Sequence, residues 1–541
     1  MNYRACLLFL FCFFFVTALA SAQGGGQLHF CLRSDPKTFD PVLVDDDASE
    51  RVRYMTGGFL LRLNRFTQQL EPELATSWKV SKDGRTISFQ LREGLHFSDG
   101  TPFSAEDVAF TMHRLMDPSL HSATGDAFRS GDGKVQTQIL APNKIAVTFP
   151  APVASLDQKF DQVAIMSATS PKKEMAVLGP FYVADYKAGS YLELNRNPNY
   201  WKHDEHGRQL PYLDSVRLDI QSNRDTEMLR FLRGEIDLVD NVDAEYYNRV
   251  QTEQAGSGHD AGVTLDPEQV WFNQTPNSPI PAYKRGWFRS ANFRLAVWQA
   301  INRDDIARIV YRGRAQSAVG MLSPADKFWF NTKLATHPYD PQGALKLLAQ
   351  DGFHLQNGQL LDREGHVVEF SLVTGAGNKA RERMATMMQQ DLSQIGIKLN
   401  VVPLDFPSLI ERITHTYDYE SCLLGLTNMT LGPDAQMNVW LSSAENHQWN
   451  PSQKQPDTPW EAEIDRLMRT QASSLDPRKR KEAFDRVQQI AWEQAPFIYL
   501  VNRHALSAIS PKLHNVQPAV LQPYVYWNLD RISKNAEVAS R

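Results

Sequence analysis

The sequence predicts an α/β protein of two or three domains built on mixed sheets, and three observations carry that expectation. The chain has 541 residues, more than a single hydrophobic core organises. Its C-terminal half alternates helical and strand periodicities, the β-α-β succession of a sheet covered on both faces. Residues 70–118 instead read as a hairpin followed by a capped helix, a small folding unit of their own.

At the N-terminus, Arg4 precedes an apolar run over residues 5–20, and Ala20-Ser21-Ala22 supplies a small-residue cleavage site. This is the pattern of a cleavable secretory signal peptide, expected to be residues 1–22. Gln23 follows where a lipoprotein leader would place a cysteine, so the expected product is untethered in a periplasm. No other run approaches the roughly 18 apolar residues needed to cross a bilayer. With 57 basic and 62 acidic residues and a net charge of -5, the chain has no nucleic-acid or anionic-membrane footprint.

Residues 27–33 read as a strand, and Asp35-Pro36 and Asp40-Pro41 punctuate the loop after it. Asp45-Asp46-Asp47 follows, either a solvated helix start facing the dipole or a ligand-facing acidic cluster. In the 70–118 block, Trp78 and Val80 alternate, Lys82-Asp83-Gly84 turns, and Ile87, Phe89 and Leu91 return. Ser104 and Asp107 then have capping-box spacing before Val108, Met112 and Leu115. Val216, Leu218 and Ile220 predict a strand, and residues 255–258 a loop. Beyond Asp340-Pro341 come a helix with Leu345 and Leu348, a strand with Phe370 and Leu372, and a helix over 381–394. A strand over 399–404, a helix over 407–413 and an apolar strand over 419–426 follow, with a last helix at 478–492 and a return strand at 497–501.

Catalytic signatures are missing: there is no P-loop, G-x-S-x-G, H-E-x-x-H or C-x-x-C. His203 and His206 fall in a polar Gly-containing loop, which favours solvation over metal binding. Glu461, Glu463 and Asp465 read as decoration of a helix start. Cys31 and Cys422 are expected to be two buried free thiols. No catalytic residue, metal site or cofactor is expected. Gly425 ends an apolar strand, and open α/β sheets place ligands beyond strand carboxyl ends. Trp440, Trp449 and Trp460 with Asn438, Asn446 and Asn450 offer aromatic faces and amides suited to a neutral ligand such as a sugar.

The 70–118 block closely resembles the most recognisable segment of the peptide-binding class of ABC-importer solute-binding proteins, solute-binding family five. The resemblance continues through Gly179-Pro180-Phe181-Tyr182, Asn197-Pro198-Asn199-Tyr200-Trp201, Gly234-Glu235-Ile236-Asp237-Leu238 and Arg294-Leu295-Ala296 to Ala300-Ile301-Asn302-Arg303. It implies a two-lobed periplasmic-binding-protein-like α/β fold with mixed sheets, a hinge between lobes and a subdomain inserted in the first lobe. The expected divisions are first lobe 23–69, inserted subdomain 70–177, first lobe again 178–268, second lobe 269–487 and a first-lobe return at 488–541.

The resemblance also implies a site, with Asp45, Asp46, Asp47 and Tyr54 on one side and Gly425, Leu426, Thr427, Asn428, Met429 and Trp440 on the other. Where the family has G-W-x-x-D, with the Asp pairing a peptide ammonium, this chain keeps Gly425 but has Leu426 and Met429. Asp434 comes five residues late. Either Asp45 or Asp47 takes the ammonium, or the ligand has no free amine. The expected function is capture of an oligopeptide or similar solute, as a monomer, for an ABC permease, with no nucleic-acid partner. An oligosaccharide receptor is the alternative, and a secreted hydrolase is the reading from another class.

Overall fold

The computed structural model describes residues 25–126, 128, 133–276, 278–425 and 431–534. The signal-peptide expectation lies outside them.

A four-stranded sheet opens the first lobe. Gln27–Leu32 pairs in parallel with Ser215–Ile220, followed antiparallel by Tyr191–Arg196 and Phe181–Lys187. Leu28, Phe30, Leu192, Leu194, Val216 and Leu218 alternate onto its buried face and meet Val52 and Met55 of the helix Asp47–Thr56. The inserted unit has its own core. Ala75–Val80 and Thr86–Leu91 form the expected hairpin, extended antiparallel by Lys144–Thr148 and Gln136–Ala141. Helix Ala105–Met116 begins in a capping box of Ser104 and Asp107 and packs Val108, Met112 and Leu115 against Ile87, Phe89 and Leu91.

Two long antiparallel strands, Gly258–Phe272 and Phe497–Ile509, link the lobes. At one end Phe497–Ile509 pairs with Leu238–Val239 of the first lobe. Toward the other, Gly258–Phe272 pairs with Ser421–Gly425, beyond which Glu369–Gly375 and Lys398–Leu404 add in parallel. The sheet is therefore mixed, and the molecule is the two-lobed α/β architecture the sequence predicts. Register shifts between Asp260 and Val263 and between Val263 and Pro267 bend the long pair midway. Helix Pro477–Gln494 runs through the expected division at 488 and buries Val487, Ile490 and Ala491 in the second-lobe core. The chain crosses back only within the following strand. The expected loop at 255–258 gives way to strand at Gly258. Cys31 and Cys422 are free and buried.

Candidate ligand cleft

The first-lobe wall is built on the helix Asp47–Thr56. Asp46 caps it, accepting from the Ser49 amide at 3.0 Å. Burial opposes ionisation of Asp46, but hydrogen bonds from Ser49 and Lys37 overcome it and hold its pKa below the ordinary value. Asp45 and Asp47 flank the cap with side chains 61% and 60% exposed. Each has one ion pair, Asp45 with Lys37 at 3.2 Å and Asp47 with Arg51 at 2.8 Å. Carboxylates this open retain free lone pairs. One turn on, Glu50 is paired with Arg53, while Arg65 and Asp161, each 5% exposed, are joined at 2.8 Å.

These groups line a cavity of about 510 Å³ whose walls are mostly apolar, with Leu63, Leu70 and Phe128 on one side and Leu431 across it. The residues facing them from the second lobe are Leu431 and Asp434. Asp434 is already engaged: both its oxygens lie 3.1 Å from Arg480 Nη2. Arg480 also donates to the Gln471 carbonyl at 3.1 Å and reaches across to Ser155 Oγ of the inserted unit. A second bridge joins the lobes where Gln68 Nε2 donates to the Ala325 carbonyl at 2.6 Å.

The approach to Asp434 is fixed by backbone. Gly432 adopts φ +86°, and a Cβ there would meet Trp329 Nε1 at 2.6 Å. Its amide donates to buried Asp326 at 2.9 Å. Gly425 ends its strand as expected, and a Cβ on it would meet Arg381 Nη2 at 2.7 Å. That guanidinium is held by Glu268 of the long crossing strand at 2.8 Å. Leu426, Thr427, Asn428 and Met429 lie outside the described residues.

Two expectations need correcting. Trp440 is 1% exposed and packs against Trp449 and Phe497, so its ring belongs to the second-lobe core and is not offered to a ligand. Glu461 stands in the first turn of the helix Pro459–Ser473, as expected, but it is not surface decoration. It is 2% exposed and accepts from His447, Trp449, Gln453 and Thr458. Burial pushes its pKa up, but these bonds outweigh it and bring the carboxyl down to about 2. Asp465 is likewise buried, accepting from Ser442 through both amide and hydroxyl at 2.8 Å.

Tyr54 stands beside the main cavity rather than in it. It lines a recess of about 50 Å³ together with Asp47, Arg51 and Asp240. Arg65, Asp161, Lys159 and Phe128 are cleft residues that sequence patterning missed. They come from three separate stretches of the chain, Arg65 lying 96 residues from its partner Asp161, and no local spacing marks them. Asp204, beside His203 and His206, accepts from Tyr212 and Arg208. Among the described residues, no cluster of three His, Cys, Asp or Glu is placed to hold a metal. Among the described residues the cleft's charged groups are ion-paired or capping and none forms a nucleophile–base pair, an arrangement suited to holding a solute.

Comparison with known proteins agrees with that arrangement. A family model described as bacterial extracellular solute-binding proteins, family 5 Middle, matches residues 69–448. The chain is 24% identical to the oligopeptide-binding protein AppA of Bacillus subtilis, over 93% of this chain and 90% of that one. It is 23% identical to the dipeptide-binding protein of Escherichia coli, over 96% of each. Among solved structures, the ABC transporter substrate-binding protein CtaP of Listeria monocytogenes superposes with a TM-score of 0.79 at 22% identity, covering 94% of this chain and 99% of that one.

Proposed function

The chain belongs to the bacterial extracellular solute-binding proteins of family 5, and we propose that it captures an oligopeptide in the cleft between its lobes and delivers it to an ABC permease. The family consists of binding proteins, and we extend that to this chain as a receptor without catalysis. In this reading residues 1–22 direct export to the periplasm, and the protein works there as a monomer with no nucleic-acid partner. Among the described residues no helix is long and apolar enough to cross a membrane. We divide the chain as the sequence suggests, with the final return moved into the strand Phe497–Ile509.

One observation carries the choice of ligand. A mostly apolar interlobe cavity has two open carboxylates, Asp45 and Asp47, on its first-lobe wall. The facing Asp434 is neutralised by Arg480. The peptide's α-ammonium is therefore placed against Asp45 and Asp47, and its side chains against Leu63, Phe128 and Leu431. The oligosaccharide alternative has less support, since Trp440 and Trp449, two of the three rings it relied on, are buried at 1% and 0% exposure.

Thermal shift against peptide and glycan libraries tests this assignment. A matching peptide at 100-fold excess over its Kd stabilises the protein by about 2.7 kcal/mol. Stabilisation by a glycan with none by any peptide would refute it.

A further inference from the structure

A second cavity, of about 440 Å³, lies behind the helix Asp47–Thr56, enclosed by residues 54–74, 178–202 and 517–531. Among the described residues its wall has no contribution from the second lobe, so its lining does not depend on closure of the lobes. Its aromatic lining comes from Tyr54, Phe59, Tyr200, Trp201, Tyr526 and Trp527. Most of its charges are matched. Lys202 lies 2.5 Å from Glu73 and 3.5 Å from Asp530, and Arg531 lies 3.3 Å from Glu205.

Arg62 is different. Its guanidinium stacks 3.7 Å from the Tyr54 ring centroid and 4.3 Å from that of Phe59. Among the described residues no carboxylate is in direct ion-pair contact with it, Asp161 and Glu73 acting on it only through space, and its hydrogen bonds go to Tyr54, including a 3.4 Å contact to the Tyr54 carbonyl. Stacking on aromatic rings occupies the faces of a guanidinium and leaves its N–H edge, which fits a carboxylate in a bidentate fork. In the same wall, Asn528 is 6% exposed and its side-chain carbonyl is buried without a partner, while its amide donates to Asn515 at 2.7 Å. That carbonyl can accept only from an N–H or O–H.

We propose that this chamber is a second ligand site, for a small carboxylate with an aromatic body bearing a donor group. Arg62 takes the carboxylate, the aromatic walls take the ring, and Asn528 takes the donor. The site stands apart from the cleft and does not depend on what the cleft binds.

Calorimetric titration of the full mature chain with indole-3-acetate, which has both a carboxylate and a ring N–H, tests it. Phosphate and tryptamine serve as controls for anion and ring alone. Indole-3-acetate is expected to bind, and the controls to bind at least about tenfold more weakly, since only the acid satisfies both wall and fork. Arg62→Gln is expected to lose about tenfold or more in affinity, and Arg62→Lys, which keeps charge but not the fork, to fall between. Should Arg62→Gln fail to fold, Arg62→Lys and a crystal soaked with indole-3-acetate decide the matter, the expected result being the carboxylate on Arg62. Absence of binding to the unaltered protein, equal binding of phosphate, or unchanged affinity in Arg62→Lys and Arg62→Gln would each overturn the proposal.

Discussion

The two walls of the cleft hold their carboxylates in opposite ways. On the first-lobe wall, Asp45 and Asp47 are 61% and 60% exposed, each with one ion pair. On the second-lobe wall, Asp434 is locked by Arg480, itself 6% exposed, and the segment behind it is pinned by Glu461 and Asp465. One wall keeps charge available to a ligand; the other uses its charge on its own architecture. A carboxylate in a cleft thus says little about ligand charge until its partners are known, because a neighbouring guanidinium cancels most of its field at short range.

This contrast predicts that variants on the second wall damage stability and variants on the first damage binding. The largest effect should come from Arg480→Ala. It strips Asp434 of its counter-ion and removes the bonds to Gln471 and Ser155, costing about 3–5 kcal/mol by analogy with broken buried ion pairs. Chemical denaturation measures this, and a loss under 1 kcal/mol would show that the second wall does not depend on the pair. Glu461→Gln should cost about 2 kcal/mol near neutral pH, the range for hydrogen bonds to a buried charge. Its pH signature is separable. The folded carboxyl titrates at about 2 against an ordinary 4.5, so its stabilisation is full above pH 4.5 and is lost as pH falls toward 2. Denaturation midpoints from pH 6 to pH 3 should fall less steeply in Glu461→Gln than in the unaltered protein. Parallel curves would remove Glu461 as the buried hub.

The same two regions differ in how far the sequence could be read. Hairpin, Asp-Gly turns and the Ser104 cap of the inserted unit are contacts between residues a few positions apart, and their periodicities translate directly into structure. The acidic run at residues 45–47 was legible as either a helix start or a ligand wall, and it is a helix start whose outer acids line the cavity. On the second wall the deciding contacts span long separations. Arg480 is 46 residues from Asp434, and Glu461 gathers donors from His447, Trp449 and Gln453. No local pattern distinguishes a buried Glu in the first turn of a helix from an exposed one, and tryptophans near a strand end give no sign of which way their rings face. Asp434 lies five residues beyond the position the family pattern predicts, yet it reaches the cavity because the turn at Gly432 carries the chain there.

The smallest of these effects bears on the central claim, that the open first-lobe acids hold the ligand's ammonium. A double-mutant-type cycle measures it: calorimetric Kd values for a matched peptide with free and with acetylated N-terminus, on the unaltered protein and on Asp47→Asn. The account predicts that acetylation and Asp47→Asn each weaken binding by about tenfold, or 1.4 kcal/mol, and that together they weaken it hardly more than either alone. Equal affinity for the two peptides, or losses that simply add, would contradict it.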